Sequence, residues 1–342
     1  LTLKSLSMEG FCDWISISQT HDEYVQTPPT QVLQNFCSET GQINYCRNAP
    51  VQHRGSHDTS LRLQVNANRV SLSGNVGRFG RPDNLAGYTV DDVKRKANEI
   101  LETIGLPVFT SGTFMHLANI RGDERTVYTG ANISRIDITS NFTAGSHSRS
   151  FIHWLGRQTF GRSSTHSLAD ETIYMGGRAG KRSKYCQTKC YLKGPELYKH
   201  NKLKSEYVKD LSQWCEEQGI IRHETTFMAR YLDKKNLKAW HNCTNENVMP
   251  RYQSELQKMT QRMQIDTRIE DLPAHYQATY YAHVNGADMT RLSRATFYRH
   301  RKVLLSVGVD IAKPASIRAI NTKPTIIELK PATMPDFYRE AI

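Results

Sequence analysis

Nowhere in the 342 residues does an apolar run approach the length of about 20 needed to cross a bilayer. A helical membrane protein is therefore excluded. Lys4 near the amino terminus is not followed by the apolar core and cleavage site of a signal peptide, so a soluble, cytoplasmic chain is expected. The seven cysteines (Cys12, Cys37, Cys46, Cys186, Cys190, Cys215 and Cys243) are odd in number and scattered, which argues against a disulfide framework. Cys186 and Cys190 lack a second pair at zinc-ligand spacing, and reduced packing cysteines are the simpler reading. No internal repeat or low-complexity tract is present. Acidic side chains are the scarce charge, with 33 Asp and Glu against 45 Lys and Arg. The resulting net charge of +12 points to a polyanionic partner, and nucleic acid is the usual one.

Pattern along the chain predicts an α+β protein. Residues 13–18 alternate apolar and small polar side chains, as a half-buried strand does. Residues 22–60 read as loop with at most a short helix. Two strands, 61–65 and 69–76, flank a turn at Asn66-Ala67-Asn68. A helix over 90–104 has Thr89 as N-cap and Gly105 as its stop. A strand over 131–141 and a helix over 147–159 follow. Residues 171–193 form a hairpin, 203–218 a helix ended by Gly219, and 220–232 a strand. This order predicts a central antiparallel sheet with helices on one face. Three regions are expected: a catalytic domain over 1–245, a helical DNA-binding module over 246–310, and an extended tail over 311–342 with four prolines among the last thirty residues.

Three short segments carry the chemistry. In Ser134-Arg135-Ile136-Asp137, strand alternation puts Arg135 and Asp137 opposite Ile136 and Ile138. In Tyr191-Leu192-Lys193-Gly194-Pro195-Glu196, Tyr191 and Lys193 share parity about 6–7 Å apart, and Gly194-Pro195 lets Glu196 turn back toward them. In the third strand Arg222, Glu224 and Thr226 share a face. Six basic residues and no acidic one lie between Gly176 and Lys193 (Arg178, Lys181, Arg182, Lys184, Lys189, Lys193), which suits a phosphate backbone. Each segment alone also fits an exposed ion pair or a packed tyrosine. Together, three carboxylates suit Mg2+ or Mn2+, which can polarise a phosphoryl oxygen for attack by the phenol. Lys193 could stabilise the phosphate, lower the tyrosine pKa or protonate the leaving oxygen. Tyr185, of the same parity, and Tyr198 are alternative nucleophiles.

Near the carboxy terminus, a helix over 272–284, a stop at Asn285-Gly286 and a second helix over 295–305 have the layout of a helix-turn-helix. The second helix offers Arg294, Thr296, Tyr298, Arg299, Arg301 and Lys302 to DNA, while Phe297, Val303 and Leu304 pack inward.

The Ser-Arg-Ile-Asp strand, the Tyr-Leu-Lys-x-x-Glu-Leu segment, the Arg-x-Glu strand and the stretch Leu292 to Lys302 occur in this order in the gene II replication initiators of filamentous phages, and the chain resembles that family over residues 130–310. Asp13-Trp14-Ile15-Ser16 fits the family's opening strand. The resemblance implies rolling-circle initiation in a bacterial host. The enzyme would nick the plus strand of a double-stranded origin, host helicase and polymerase would extend the free 3′ end, and the displaced single strand would be rejoined. It further implies Tyr191 as nucleophile, forming a 5′-phosphotyrosine, Lys193 as its assistant, and Asp137, Glu196 and Glu224 as metal ligands. No His-hydrophobic-His triplet is present, so the histidine-based relaxase pattern is absent. Two other readings are a non-catalytic origin-recognition or regulatory protein with a structural tyrosine, and a tyrosine recombinase, which would need no metal.

Overall fold

The computed structural model describes residues 10–26, 32–118, 122, 124–157, 159–160, 163–168, 171–175, 183–200, 205–263, 269, 272–307, 309–313 and 329–338. Its strands in chain order begin with β1 Phe11–Thr20, β2 Val32–Phe36, β3 Ile43–Asn48, β4 Val51–Arg54, β5 Ser60–Asn66 and β6 Arg69–Gly74. They continue with β7 Phe114–Ala118, β8 Glu124–Tyr128, β9 Asn132–Thr143, β10 Thr159–Phe160, β11 Ser163–Leu168 and β12 Thr172–Met175. The last are β13 Cys186–Leu192, β14 Ile220–Met228 and β15 Lys330–Pro331. The helices are α1 Val90–Thr103, α2 Ser148–Arg157, α3 Lys193–His200, α4 Glu206–Glu217, α5 Ala229–Lys234, α6 Asn245–Met263, α7 Ala274–Val284 and α8 Arg294–Ser306.

Eleven strands make one sheet in the order β10-β11-β12-β13-β14-β9-β1-β6-β5-β4, with β15 added on β9. Neighbours in it pair antiparallel, and the three chemistry-bearing strands β13, β14 and β9 are adjacent at its centre. Alternation gives the sheet two different faces. Ile15, Ile17, Leu61, Val70, Leu72, Ile136, Ile138 and Phe227 point to the back, where α1 covers them with Val90, Val93, Ala97 and Leu101. Next to that core, Phe151, Ile152 and Leu155 of α2 and Met259 of α6 pack on Cys190, Leu192 and Ile221.

The expectation of helices on one face is corrected. Ile220 has front-face parity, and it packs with Leu197 of α3, Leu211 and Cys215 of α4, and Leu85 and Ala86. These two helices thus cap one end of the front face, whose positions at the centre of the sheet are buried and on β1, β6 and β5 are half-buried or exposed. Residues 22–60 are also not plain loop. β2 and β3 form a separate two-stranded arm, and β4 extends the main sheet. The arm was hidden in the sequence because both its strands are exposed, so no face imposes an apolar rhythm. β14 ends at Met228, where its pairing with β9 runs out at Arg135, and residues 229–234 coil into α5.

Thr89 caps α1 as expected, its side chain accepting from the Asp92 N–H. Ala67 takes φ 51° in the β5–β6 turn. In the carboxy-terminal module, Ser293 caps α8, and Leu304 and Phe297 turn inward with Ile269, Val307 and Ile311. The tail returns to the sheet: Lys330 and Pro331 pair with Thr143 and Phe142, and Ala332, Met334 and Tyr338 join the α3–α4 core. Among the described residues no helix is long and apolar enough to cross a membrane.

Candidate active site

Cross-strand register builds the site. Tyr191 lies opposite Arg222 and Lys189 opposite Glu224 across β13–β14. Across β14–β9, Arg222 faces Asn141, Glu224 faces Thr139 and Thr226 faces Asp137. Directly opposed residues share a face, so Lys189, Tyr191, Arg222, Glu224, Asp137 and Asn141 all stand on the front of the sheet. Asp137 is in turn opposite Trp14 of β1.

Within this patch the Tyr191 hydroxyl donates to Glu224 Oε2 at 3.4 Å. Lys189 Nζ is 2.9 Å from Glu224 Oε1 and 5.0 Å from the centre of the Tyr191 ring. Arg135 grips Asp137 through two N–H groups, with Nε 2.9 Å from Oδ1. Arg222 is fully buried; its Nε donates to Asn141 Oδ1 at 2.8 Å and its Nη2 to the carbonyls of Asn84 and Leu85. Its Nη1 is buried with no hydrogen-bond partner among the described residues and lies 4.0 Å from Asp13 Oδ1. Buried donors are rarely left so.

Glu196 reaches the site by a route other than the predicted bulge. β13 stops at Leu192, and Lys193 opens α3, so Lys193 and Glu196 meet as i and i+3 of a helix with Nζ 2.5 Å from Oε2. Lys193 therefore does not share strand parity with Tyr191. Its ammonium is buried and also donates to Asn84 Oδ1 at 2.8 Å. The correction has a simple cause: Pro195 lacks an N–H that a first helical turn does not need, which makes Lys-Gly-Pro-Glu a helix start.

Burial and neighbouring charge set the protonation states. Burial raises Glu224 to about 7, with Asp13 and Asp137 adding to the rise and Lys189 opposing it. Burial also raises Asp137, against the pull of Arg135. For Glu196, burial is outweighed by Lys193 and Arg222, which hold it at about 2. The Tyr191 phenol is pushed well above its ordinary value by burial and by Glu196 and Glu224. Behind β14, Tyr252 of α6 donates to the His223 carbonyl at 3.1 Å and contacts the His223 Nδ1 at 3.0 Å and the Ser140 hydroxyl. Burial lowers His223 to about 3, so this pin is neutral at physiological pH.

The oxygen-only donors Asp137 and Glu224, diagonal neighbours with raised pKa values, are chemically suited to a hard divalent cation, and the charge they need is now supplied by Arg135 and Lys189. Glu196 is paired with Lys193. Among the described residues no three His, Cys, Asp or Glu side chains form a metal-holding group. A Mg2+ site needs only one or two carboxylates when substrate phosphate completes the shell.

Asp13 is the residue the sequence reading missed. Cys12 and Trp14 pair with the consecutive residues Ile138 and Asp137, so Asp13 is the extra residue of a bulge. Its Oδ1 accepts from Asn75 and Asn84 at 2.8 and 3.1 Å. A signal existed: Asp13 has the parity of Ile15 and Ile17, and a carboxylate cannot stay on a core face. Asn84 was likewise not singled out, and Lys189 was named only as one of a basic run.

Of the other predicted residues, Tyr185 lies outside β13 and packs edge-on against Tyr231, with ring centres 5.1 Å apart. Tyr198 is on α3 and 46% exposed. Lys184 is exposed, whereas Arg178, Lys181 and Arg182 lie outside the described residues. On α8, Arg294, Tyr298, Arg299 and Lys302 are exposed, and Thr296 meets the Ser293 cap. Arg301 instead makes a bidentate pair with Asp310, at 2.6 and 2.9 Å.

Residues 13–246 match the family model for the N-terminal region of the phage replication-associated protein, the gene II protein, and residues 265–342 match the model for its C-terminal region. The replication-associated protein of this type from Escherichia phage If1 is 24% identical over 300 residues, covering 78% of this chain and 91% of that one. The protein of the same name from Enterobacteria phage I2-2 is 30% identical over 293 residues, covering 81% and 80%. No solved structure matches the chain.

Proposed function

The chain belongs to the replication-associated gene II protein family, and from that footing we propose that it is a rolling-circle initiator that nicks a phage plus-strand origin through Tyr191. The observation that carries this reading is the contact of the Tyr191 hydroxyl with Glu224, a carboxylate whose pKa lies near neutrality. A base poised there is matched to taking the phenol proton at physiological pH.

In the proposed step the Tyr191 oxygen forms a bond to phosphorus and the bond from phosphorus to the 3′ oxygen breaks. The phenol proton goes to Glu224 Oε2, and the 3′ oxygen leaves as an alkoxide that takes a proton from solvent to become the 3′ hydroxyl. The product is a 5′-phosphotyrosine, and reversal of the step by the displaced strand's 3′ hydroxyl restores the phosphodiester and the phenol. Lys189, against both Glu224 and the tyrosine ring, favours the charged states of the reaction, and the buried Arg222 adds positive charge beneath the tyrosine. Lys193 acts by fixing Glu196. Asp137, with phosphate oxygens completing the shell, would hold the Mg2+ or Mn2+ ion, which when bound supplies Lewis-acid polarisation of the phosphoryl group and leaves Glu224 as the base. The origin duplex and the displaced strand are the nucleic-acid partners in this reading, and host helicase and polymerase act on the nicked product.

The 5% exposure of Tyr191 favours the competing reading, an origin-binding protein with a structural tyrosine. A supercoiled plasmid carrying the phage origin separates them. Wild-type protein with Mg2+ is expected to give nicked circles bearing covalently attached protein, and Tyr191→Phe to give none. Equal nicking by both proteins would remove Tyr191 as the nucleophile.

A further inference from the structure

Beyond Tyr191, the front positions of β1, β6, β5 and β4 are half-buried or exposed among the described residues. We propose that this face is the track that binds the DNA strand leading into the site, its phosphates on Arg54, Arg62 and Arg69 and an unstacked base in the cavity beside it. The proposal deepens the nickase reading and rests on it.

Register defines the surface. Ser16 faces Ser73, Ser18 faces Ser71 and Thr20 faces Arg69 across β1–β6. Arg62 faces Ser73 and Gln64 faces Ser71 across β5–β6, and Arg54 faces Ser60 across β4–β5. The opposite face of these strands is the buried core of Ile15, Ile17, Leu61, Leu63, Val70 and Leu72. On the front every one of these positions is half-buried or exposed, and none on β4, β5, β6 or the Trp14–Thr20 segment of β1 is acidic.

An ordinary solvated sheet face mixes both signs of charge. Here arginines stand among short hydroxyl side chains, a surface that complements a phosphate backbone and lets it approach closely. The face is also continuous with the candidate site, because Ser16 is opposite Arg135 and Trp14 opposite Asp137, with the Arg135 guanidinium 4.9 Å from the Trp14 ring.

Where β1 and β6 meet at Thr20 and Arg69 lies a cavity of about 380 Å3 lined by Ser18, Thr20, Arg69, Asn132, Tyr128 and His21. That volume falls in the range of small-ligand pockets. The cavity's polar lining includes the Asn132 amide and the Ser18 and Thr20 hydroxyls, groups that can meet a base edge. An arginine- and hydroxyl-bearing sheet face beside a base-sized cavity suits a single strand, whose bases can unstack, better than a duplex.

The test uses the full-length Tyr191→Phe protein, which binds without cutting, and a fluorescent single strand spanning the origin nick site. Adding R54A, R62A and R69A together is expected to weaken binding at least tenfold. The slope of log Kd against log salt should shrink by about 2, at roughly 0.7 per lost phosphate contact on a single strand. Arg230→Ala, an exposed arginine on α5, should change neither. Unchanged affinity and salt slope in the triple variant, with an unchanged thermal midpoint, would overturn the track. An equal loss for a blunt duplex of the same sequence would overturn the single-strand assignment. If wild type binds through these arginines yet leaves the origin uncut, the nickase reading fails and the track stands.

Discussion

Glu224 is where burial and chemistry meet most directly. Its carboxyl, raised to about 7, gains the capacity to accept the Tyr191 proton only as it ionises. Nicking is therefore expected to rise as pH passes upward through about 7. Glu224→Gln should lose that limb and lower the rate by roughly 10²–10⁴-fold, the usual contribution of a general base, in single-turnover assays across pH. A retained limb in that variant would assign the titration to another group. The effect on stability has the opposite sign. Between the ordinary value of 4.5 and about 7 the folded protein holds a proton that the unfolded chain has released. This group's contribution to stability thus falls as pH rises through that window. Glu196, held at about 2, behaves inversely: its contribution is present above the ordinary value of 4.5 and is lost as pH falls toward 2.

At the scale of elements, β14 owes its position to the turn before it. Gly219 sits at φ 59° between α4 and β14, and a Cβ there would lie 2.0 Å from the Gly145 carbonyl oxygen. Gly219→Ala is expected to cost at least about 1–2 kcal/mol from the left-handed backbone alone. Urea unfolding would measure that cost, and the displaced start of β14 should lower nicking as well. A variant as stable as wild type would show that the turn relaxes freely.

The elements most legible in the sequence were those whose environment imposes a rhythm. β5, β6, α1 and α4 each bury one side and β9 keeps its isoleucines on one face, so parity or helical periodicity marked them, and Thr89 and Gly219 punctuated them. Parity also put Asp137 on one face of β9, and Arg222 with Glu224 on one face of β14. Three features escaped for physical reasons. The β2–β3 arm buries neither face. The Asp13 bulge breaks the alternation from which strand faces are read. The passage from β13 into α3 changes the period between Leu192 and Lys193, so a strand reading extended one residue too far exchanged a helical pair for a strand pair. That the three segments are adjacent was not contained in any of their patterns, because adjacency is a property of sheet order.

For the molecule as a whole, the carboxy-terminal tail belongs to the same body as the site. Ala332 donates its N–H to the Asn141 carbonyl at 3.1 Å, and Tyr338 accepts from Arg81 at 2.8 Å and donates to Asp83 at 3.2 Å. Asn141 and the 83–85 segment are what Arg222 holds. A chain ending at residue 328 is expected to melt at lower temperature and to nick more slowly, readable by calorimetry and by the plasmid assay. An unaltered midpoint would show that β15 contributes nothing to the sheet.

This pairing also fixes an order of events in the cell. Residues 330–338 leave the ribosome about a hundred residues after Glu224 has emerged. A nascent chain carries Tyr191, Glu224 and Arg222 long before it possesses the strand that closes over Asn141, so the site is assembled in full only once that later stretch has been made.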